Sequence, residues 1–378
     1  MSFAAIGRIA LKLSEICRTL AEFAPLELAQ PWDNVGLIAG QRGAECSQVL
    51  LTIDLTAAVL DEAIAKGCDL IVAYHPPIFK PISRLDGDGA GMEGLLWRAI
   101  RHGIAIYSPH TALDAAQGGT NDVLADLCGA GEREPFEFVA GGGEQAKVVV
   151  FVPPDAVEEV ALAMSRAGAG VIGEYERCSF RLRGTGTFLG RQTTNPTVGE
   201  AGRFEHVEEI RLEMVAPKGA LPAVIEAIGQ THPYEEPAYD IYPLTPPPRW
   251  GIGRRARLET PLPLRALVER LVAHTPTTAP RIVGDREATI ERVAVLVGAA
   301  GSIPLGLDLE ASDCVVTGEI RHHDALSLLR HGTNAIALGH WASERPTLPH
   351  LAGRLTHRHP GLPVVVSEAD RDPFGTPD

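Results

Sequence analysis

LIVAYHPP (70–77), IAIYSPH (104–110) and AIALGH (335–340) decide how this chain reads, because each is a short apolar run that ends in a histidine. Runs of this length, without polar alternation, predict strands buried on both faces, as in a parallel sheet covered by helices. Pro76 and Pro77 lack the amide hydrogen a ladder needs, so the first run halts at His75. Parallel strands bring their C-terminal ends to one side, and in open α/β sheets that edge is where sites form. His75, His110 and His340 are therefore expected to converge, although they come from opposite ends of the chain.

Outward from these runs, helical and extended patterns alternate. A helix over 6–23 leads through WDNVGLIAG (32–40) to a strand at 49–54, a helix at 56–66 and a helix near 91–102. The last part of the chain repeats the pattern: a helix at 263–273, strands at 293–298 and 313–318, a helix at 322–331, and a helix beginning near Trp341. Such alternation predicts an α/β fold with a mostly parallel sheet. Between the two parts lie a strand at 147–152, a helix at 155–167, a strand or hairpin over 174–189, a strand at 207–215, a helix at 218–229 and a strand at 237–243. That βαββαβ order predicts a ferredoxin-like domain. The glycine-rich GGGEQA (141–146) and the proline-stiffened PLTPPPRWGIG (243–253) read as its boundaries. The expectation is a discontinuous core domain from 1–140 and 250–372, with a second domain inserted at 145–245.

Bulk properties agree with two folded domains. The chain has 378 residues, 45% hydrophobic and 22% charged, more than one core commonly spans. The formal net charge is -14, and the longest basic run is Arg254-Arg255 with Arg257. Direct nucleic-acid binding, which needs a basic face, is not expected. Six scattered cysteines without a CxxC spacing predict a reduced, cytoplasmic protein with buried thiols. Ile6, Ile9, Leu13, Ile16 and Leu20 recur at helical spacing between charges, which predicts an amphipathic helix of the fold and not a leader peptide. No run is long and apolar enough for a membrane span.

Carboxylates follow two of the histidines at a useful distance. Asp114 lies four residues after His110, and Glu344 four after His340, so each pair shares one face of a helix that starts there. His75, Asp114, His340 and Glu344 offer imidazole and carboxylate without thiolate, a donor set for Zn, Fe, Mn, Co or Ni. A carboxylate such as Glu344 can bridge two ions. Other motifs stay open. WDNVG sets a turn or lets Asp33 and Asn34 orient a ligand. GGTND (118–122) makes an anion nest or a tight connection. HPYEEPAYD (232–240) holds a ligand or starts a strand. CSFRLRGTGTF (178–188) reads as a hairpin with Gly184 and Gly186 near its turn. His322 and His323 read as structural or as support behind a ligand, one turn inside a helix, and Glu319 as support behind a ligand or as an acid at a helix start.

WDNVGLIAG, YHPPIFKP (74–81), HTALDAAQGGTND (110–122), TGEIRHHDAL (317–326) and GHWASE (339–344) together resemble the Nif-three-like dinuclear metal-centre family, whose members are often labelled GTP cyclohydrolase type 2 homologues. GAGVIGEYERCSF (168–180), GTGTF (184–188) and HPYEEPAYDIYPL (232–244) resemble the PII/CutA-like insertion domain of its longer members. The resemblance implies two divalent metal ions per subunit, held by His75, Asp114, His340 and Glu344, with His110 beside them and ranked after them as a direct ligand. It also implies a hexameric ring with the metal sites facing an internal cavity. Many members carry two adjacent histidines where this chain has Tyr74-His75, which puts one ligand position in question. The function implied is metal-dependent hydrolysis of a nucleotide or phosphoester, GTP ring opening included. The alternative is a non-enzymatic metal store, delivery protein or regulatory scaffold.

Overall fold

The computed structural model describes residues 10–138, 145–172, 175–244 and 250–374. It divides into two compact units, one made of 1–139 with 248–378 and the other of 140–247. Residues 141–144 of the glycine-rich stretch, 245–249 of the proline-rich linker and 6–9 of the expected first helix lie outside the described residues. That helix begins at Leu13 and not before it, because Leu11–Lys12 is a short strand paired with Glu45–Cys46.

The first unit is α/β and holds two principal sheets where one was expected. The five-stranded sheet has the order Val364–Val366, Val49–Thr52, Leu70–Ala73, Ala105–Ser108 and Gly36–Ala39. Its first four strands are parallel and the last is antiparallel. Alternate residues of the central strand feed two cores. Leu70, Val72 and Tyr74 pack with Leu13, Ile16 and Leu20 of the helix Leu13–Phe23 and with Leu351 and Leu355 of the helix Thr347–Arg358. Ile71 and Ala73 pack on the other face with Val59, Leu60 and Ala63 of the helix Ala57–Lys66. Helices on both faces explain why these strands are uniformly apolar. Thr56 caps the helix Ala57–Lys66 by accepting the Val59 amide at 3.3 Å, and Gly67 closes it in the left-handed conformation.

The second sheet of this unit is mixed. Its order is Arg281–Val283, Asn334–Ala337, Asp313–Glu319, Thr289–Ala299, Arg254–Pro263 and Ala130–Glu134. Only the second, third and fourth strands are parallel to one another. The two parts of the chain interlock: Ala130–Glu134 joins the sheet of the C-terminal part, and Val364–Val366 joins the sheet of the N-terminal part. These partners are short or exposed strands whose pairing no local pattern announces.

The other unit runs strand, helix, strand, strand, helix, strand. Its antiparallel sheet has the order Phe180–Leu189, Phe204–Pro217, Gln145–Val152 and Tyr239–Pro243. Val148, Val150, Leu212 and Met214 pack with Val160 and Met164 of the helix Val157–Arg166 and with Val224 and Ile228 of the helix Leu221–Thr231. One expectation is corrected here. Gly184 and Gly186 sit in the middle of a single strand, opposite Glu209 and Val207, and not near a hairpin turn. The β-branched and aromatic residues around them keep the strand extended. Among the described residues no helix is long and apolar enough to cross a membrane.

Candidate metal centre

Two pairs of parallel strands build the site by the same device. In the five-stranded sheet the Tyr74 and His75 amides donate to the Thr52 and Ile53 carbonyls at 2.9 and 3.0 Å, extending the ladder past the strand ends. Asp54 comes next on the neighbouring strand, and its carboxylate meets His75 Nδ1 at 3.0 Å. In the six-stranded sheet the Leu338 and Gly339 amides donate to Thr317 and Gly318 at 2.8 and 2.9 Å. Glu319 comes next there, and meets His340 Nδ1 at 3.0 Å.

With each Nδ1 engaged, each Nε2 faces one buried carboxylate. His75 Nε2 lies 3.4 Å from Glu344 Oε2, and His340 Nε2 lies 3.2 Å from Glu344 Oε1. Glu344 closes the short helix His340–Glu344, four residues after His340, as the spacing predicts. Its Oε2 is buried and, among the described residues, has no hydrogen-bond donor. One donor atom from each of the three residues lies within 4.8 Å of the others.

This set fits a divalent cation. The two imidazoles are backed by carboxylates, the usual way of fixing a ligating histidine, and the Glu344 oxygen left without a donor is one a cation would satisfy. Glycine keeps the space clear. A Cβ on Gly298, at φ +63°, would stand 2.5 Å from Glu344 Oε1 and 3.2 Å from His340 Nε2. Electrostatics run the same way. Burial opposes charge on His75, but the Asp54 bond and the negative charges of Asp54 and Glu344 beside it outweigh burial and push its pKa up to about 10. The Glu344 bond, against burial, raises His340. Glu344 is held below the ordinary carboxylate range because the two histidines outweigh its burial.

The remaining candidates lie beside this group. His110 starts the helix His110–Ala115 at φ +23°, an uncommon conformation for a non-glycine residue, of the kind that clusters at functional sites. Its Nδ1 lies 2.8 Å from Oδ1 of Asp33, whose side chain is fully buried. Asp33 Oδ2 accepts the Thr111 amide at 3.1 Å. The His110 ring centre is 5.2 Å from that of His75. Asp114 is not one of the three clustered donors: the Tyr74 hydroxyl donates to its Oδ1. Burial raises the Asp114 carboxyl most, to about 6, against its neighbours His110 and Tyr74. Asn121 donates to the Asp114 carbonyl at 3.0 Å and accepts the Val297 amide at 3.0 Å, tying the helix His110–Ala115 to the strand Thr289–Ala299.

The open motifs resolve differently. Asp33 orients His110 and Thr111, while Asn34 Nδ2 donates to the Ile78 carbonyl at 2.7 Å. GGTND is a tight connection, because Asp122 itself accepts the Gly118 amide and pairs with Arg254 at 2.7 Å, so the donors an anion would use there are already committed. In HPYEEPAYD, His232 spends both ring nitrogens, on the Phe151 carbonyl at 2.9 Å and the Tyr234 amide at 3.1 Å. His322 and His323 open the helix His322–Arg330 and do not lie one turn inside it. Asp54 is a site residue whose one signal in the sequence is its place at the end of the VLLTID run, at the same sheet edge as the histidines. A cavity of about 480 Å³, lined in part by Thr277, Arg281, Glu319 and His340, adjoins the group.

A fold of two sheets whose strand ends surround one buried glutamate with carboxylate-backed histidines defines an α/β protein with a candidate metal site. The family model described as Duf34/NIF3 (NGG1p interacting factor 3) matches residues 11–373, and the chain belongs to that family. It is 35% identical to a Bacillus subtilis protein named GTP cyclohydrolase 1 type 2 homolog, over 95% of this chain and 97% of that one. The crystal structure of a Bacillus cereus protein related to NIF3 superposes with a TM-score of 0.72 at 33% identity, covering 97% of this chain and 99% of the other. Staphylococcus aureus protein SA1388 superposes at 0.79 with 26% identity, over 97% and 99% of the two chains.

Proposed function

We propose that this protein holds a dinuclear divalent-metal centre and hydrolyses a nucleotide or a related phosphoester. The observation that carries the reading is the Glu344 carboxylate, which turns one oxygen to each of two imidazoles whose other nitrogens are committed to Asp54 and Glu319. His75, His340 and Glu344 hold the first ion in this reading, and Asp114 with Glu344 the second, with His110 adjoining. Ions held there would supply Lewis acidity and make water nucleophilic near neutral pH. Asp33 fixes His110 through Nδ1, which leaves Nε2 as the proton-accepting atom. The name carried by the Bacillus subtilis relative puts GTP first among the nucleotides to test.

The test is turnover of GTP, other nucleoside phosphates and simple phosphomonoesters by metal-loaded protein, beside Asp33→Asn. The variant is expected to keep its metal and lose about a hundredfold in kcat, because the imidazole loses the partner that sets its tautomer. Absence of turnover on every substrate by the loaded native protein would sink the hydrolase reading. In the same reading the working form is a homohexamer, checked by light scattering.

A further inference from the structure

We infer that Trp32 and Phe79, both beside His110, form a receptor for the planar ring of the substrate. The inference rests on the hydrolase reading above for what happens at the metal end, and on separate observations for the ring. Trp32 is 59% exposed and Phe79 55%, although they are among the largest apolar side chains of the protein. Their ring centres are 5.7 Å apart at 49°, so neither covers the other's face. Both turn toward His110, at 6.0 Å and 71° for Trp32 and 6.4 Å and 67° for Phe79.

The loops that carry them are pinned. Asn34, two residues after Trp32, donates to the carbonyl of Ile78, the residue before Phe79, at 2.7 Å. Asp33, next to Trp32, is held by His110 and Thr111 through its buried carboxylate, and its amide donates to the Gln30 carbonyl at 2.9 Å. Exposure of two large rings forgoes the stabilisation that their burial would bring. Here it is enforced by hydrogen bonds that also orient the proton-accepting histidine. An aromatic pair held open beside a reacting group suits a flat, π-faced ligand such as a nucleobase, which stacks on such side chains whatever its edge pattern. A nucleotide with its base here would lie beside His110, whose ring adjoins that of His75.

The test is calorimetric binding of guanosine, GMP and inorganic phosphate to the native protein, Trp32→Ala and Phe79→Ala, each metal-loaded and chelated. Elemental analysis and light scattering accompany every sample. Guanosine is expected to bind the native protein with or without metal, and each variant is expected to weaken guanosine and GMP about fivefold or more. Phosphate binding, metal content and mass should stay unchanged. Unchanged guanosine affinity in both variants, no guanosine binding to the native protein, or a change in assembly mass in place of a change in affinity would each overturn the inference. Loss of metal or phosphate binding with ring binding intact would instead count against the metal reading alone.

Discussion

Tyr74 donates its hydroxyl to Asp114, so the candidate carboxylate outside the His75–His340–Glu344 group already has a donor. Removing that donor leaves a buried acceptor unsatisfied, at a cost of about 1–3 kcal/mol. Tyr74→Phe should therefore melt lower than the native protein when metal-free, and a divalent ion should restore more stability to the variant than to the native protein. Thermal unfolding with and without zinc checks this. An equal metal-induced rise in both proteins would contradict it.

Asp54 and Glu319 act on the metal only through the imidazoles they hold. Asp54→Asn and Glu319→Gln should each weaken metal affinity by about 10- to 100-fold while the fold persists. Competition against a chelating dye gives the affinity, and circular dichroism reports the fold. Unaltered affinity in both variants would make these contacts incidental.

Gly298 is the position where a single methyl group should empty the site. In Gly298→Ala the added carbon would meet Glu344 and His340, and alanine is strained at φ +63°. Metal affinity is expected to fall at least about tenfold, which is ~1.4 kcal/mol. Dye competition on the folded variant decides it, and native affinity would show that the Glu344 carboxylate can move without consequence.

Glu62 supplies the pH dependence of stability away from the site. Its carboxylate, largely buried, accepts Lys66 at 2.6 Å, the Ser367 hydroxyl at 2.5 Å, and the amides of Glu368 and Ala369 at 3.0 Å each. Burial alone would raise its pKa, but these donors outweigh it and bring the value from 4.5 to about 2. A depressed carboxylate contributes stability that is present above pH 4.5 and lost as pH falls toward 2. The difference corresponds to ~3 kcal/mol. Glu62→Gln should be less stable than the native protein by about 2 kcal/mol at pH 7, with the gap closing as pH falls from 4.5 toward 2 in denaturant titrations. A gap that stays constant with pH would remove Glu62 from the account.

The strands that carry His75, His110 and His340 were legible because burial on both faces leaves a plain apolar run, and Pro76 and Gly339 mark where the histidines emerge. Glu344 was legible because four residues is one turn of helix. Asp54 and Glu319 were harder, since their role depends on which strands are neighbours, and register between distant segments leaves no local trace. The same reason hid the split into two sheets: Ala130–Glu134 and Val364–Val366 pair far from their own part of the chain. Trp32 opens the turn signature WDNVG and Phe79 lies in the segment after Pro76-Pro77, and only their shared approach to His110 sets them apart.

The central claim is tested most directly by the metal content per chain, measured by elemental mass spectrometry on protein purified without chelator or affinity nickel, beside His340→Ala. The account predicts about two divalent ions per chain in the native protein, from two-metal site chemistry, and their loss in the variant. No bound ion in the native protein, even after reconstitution with zinc, manganese and iron, would contradict it.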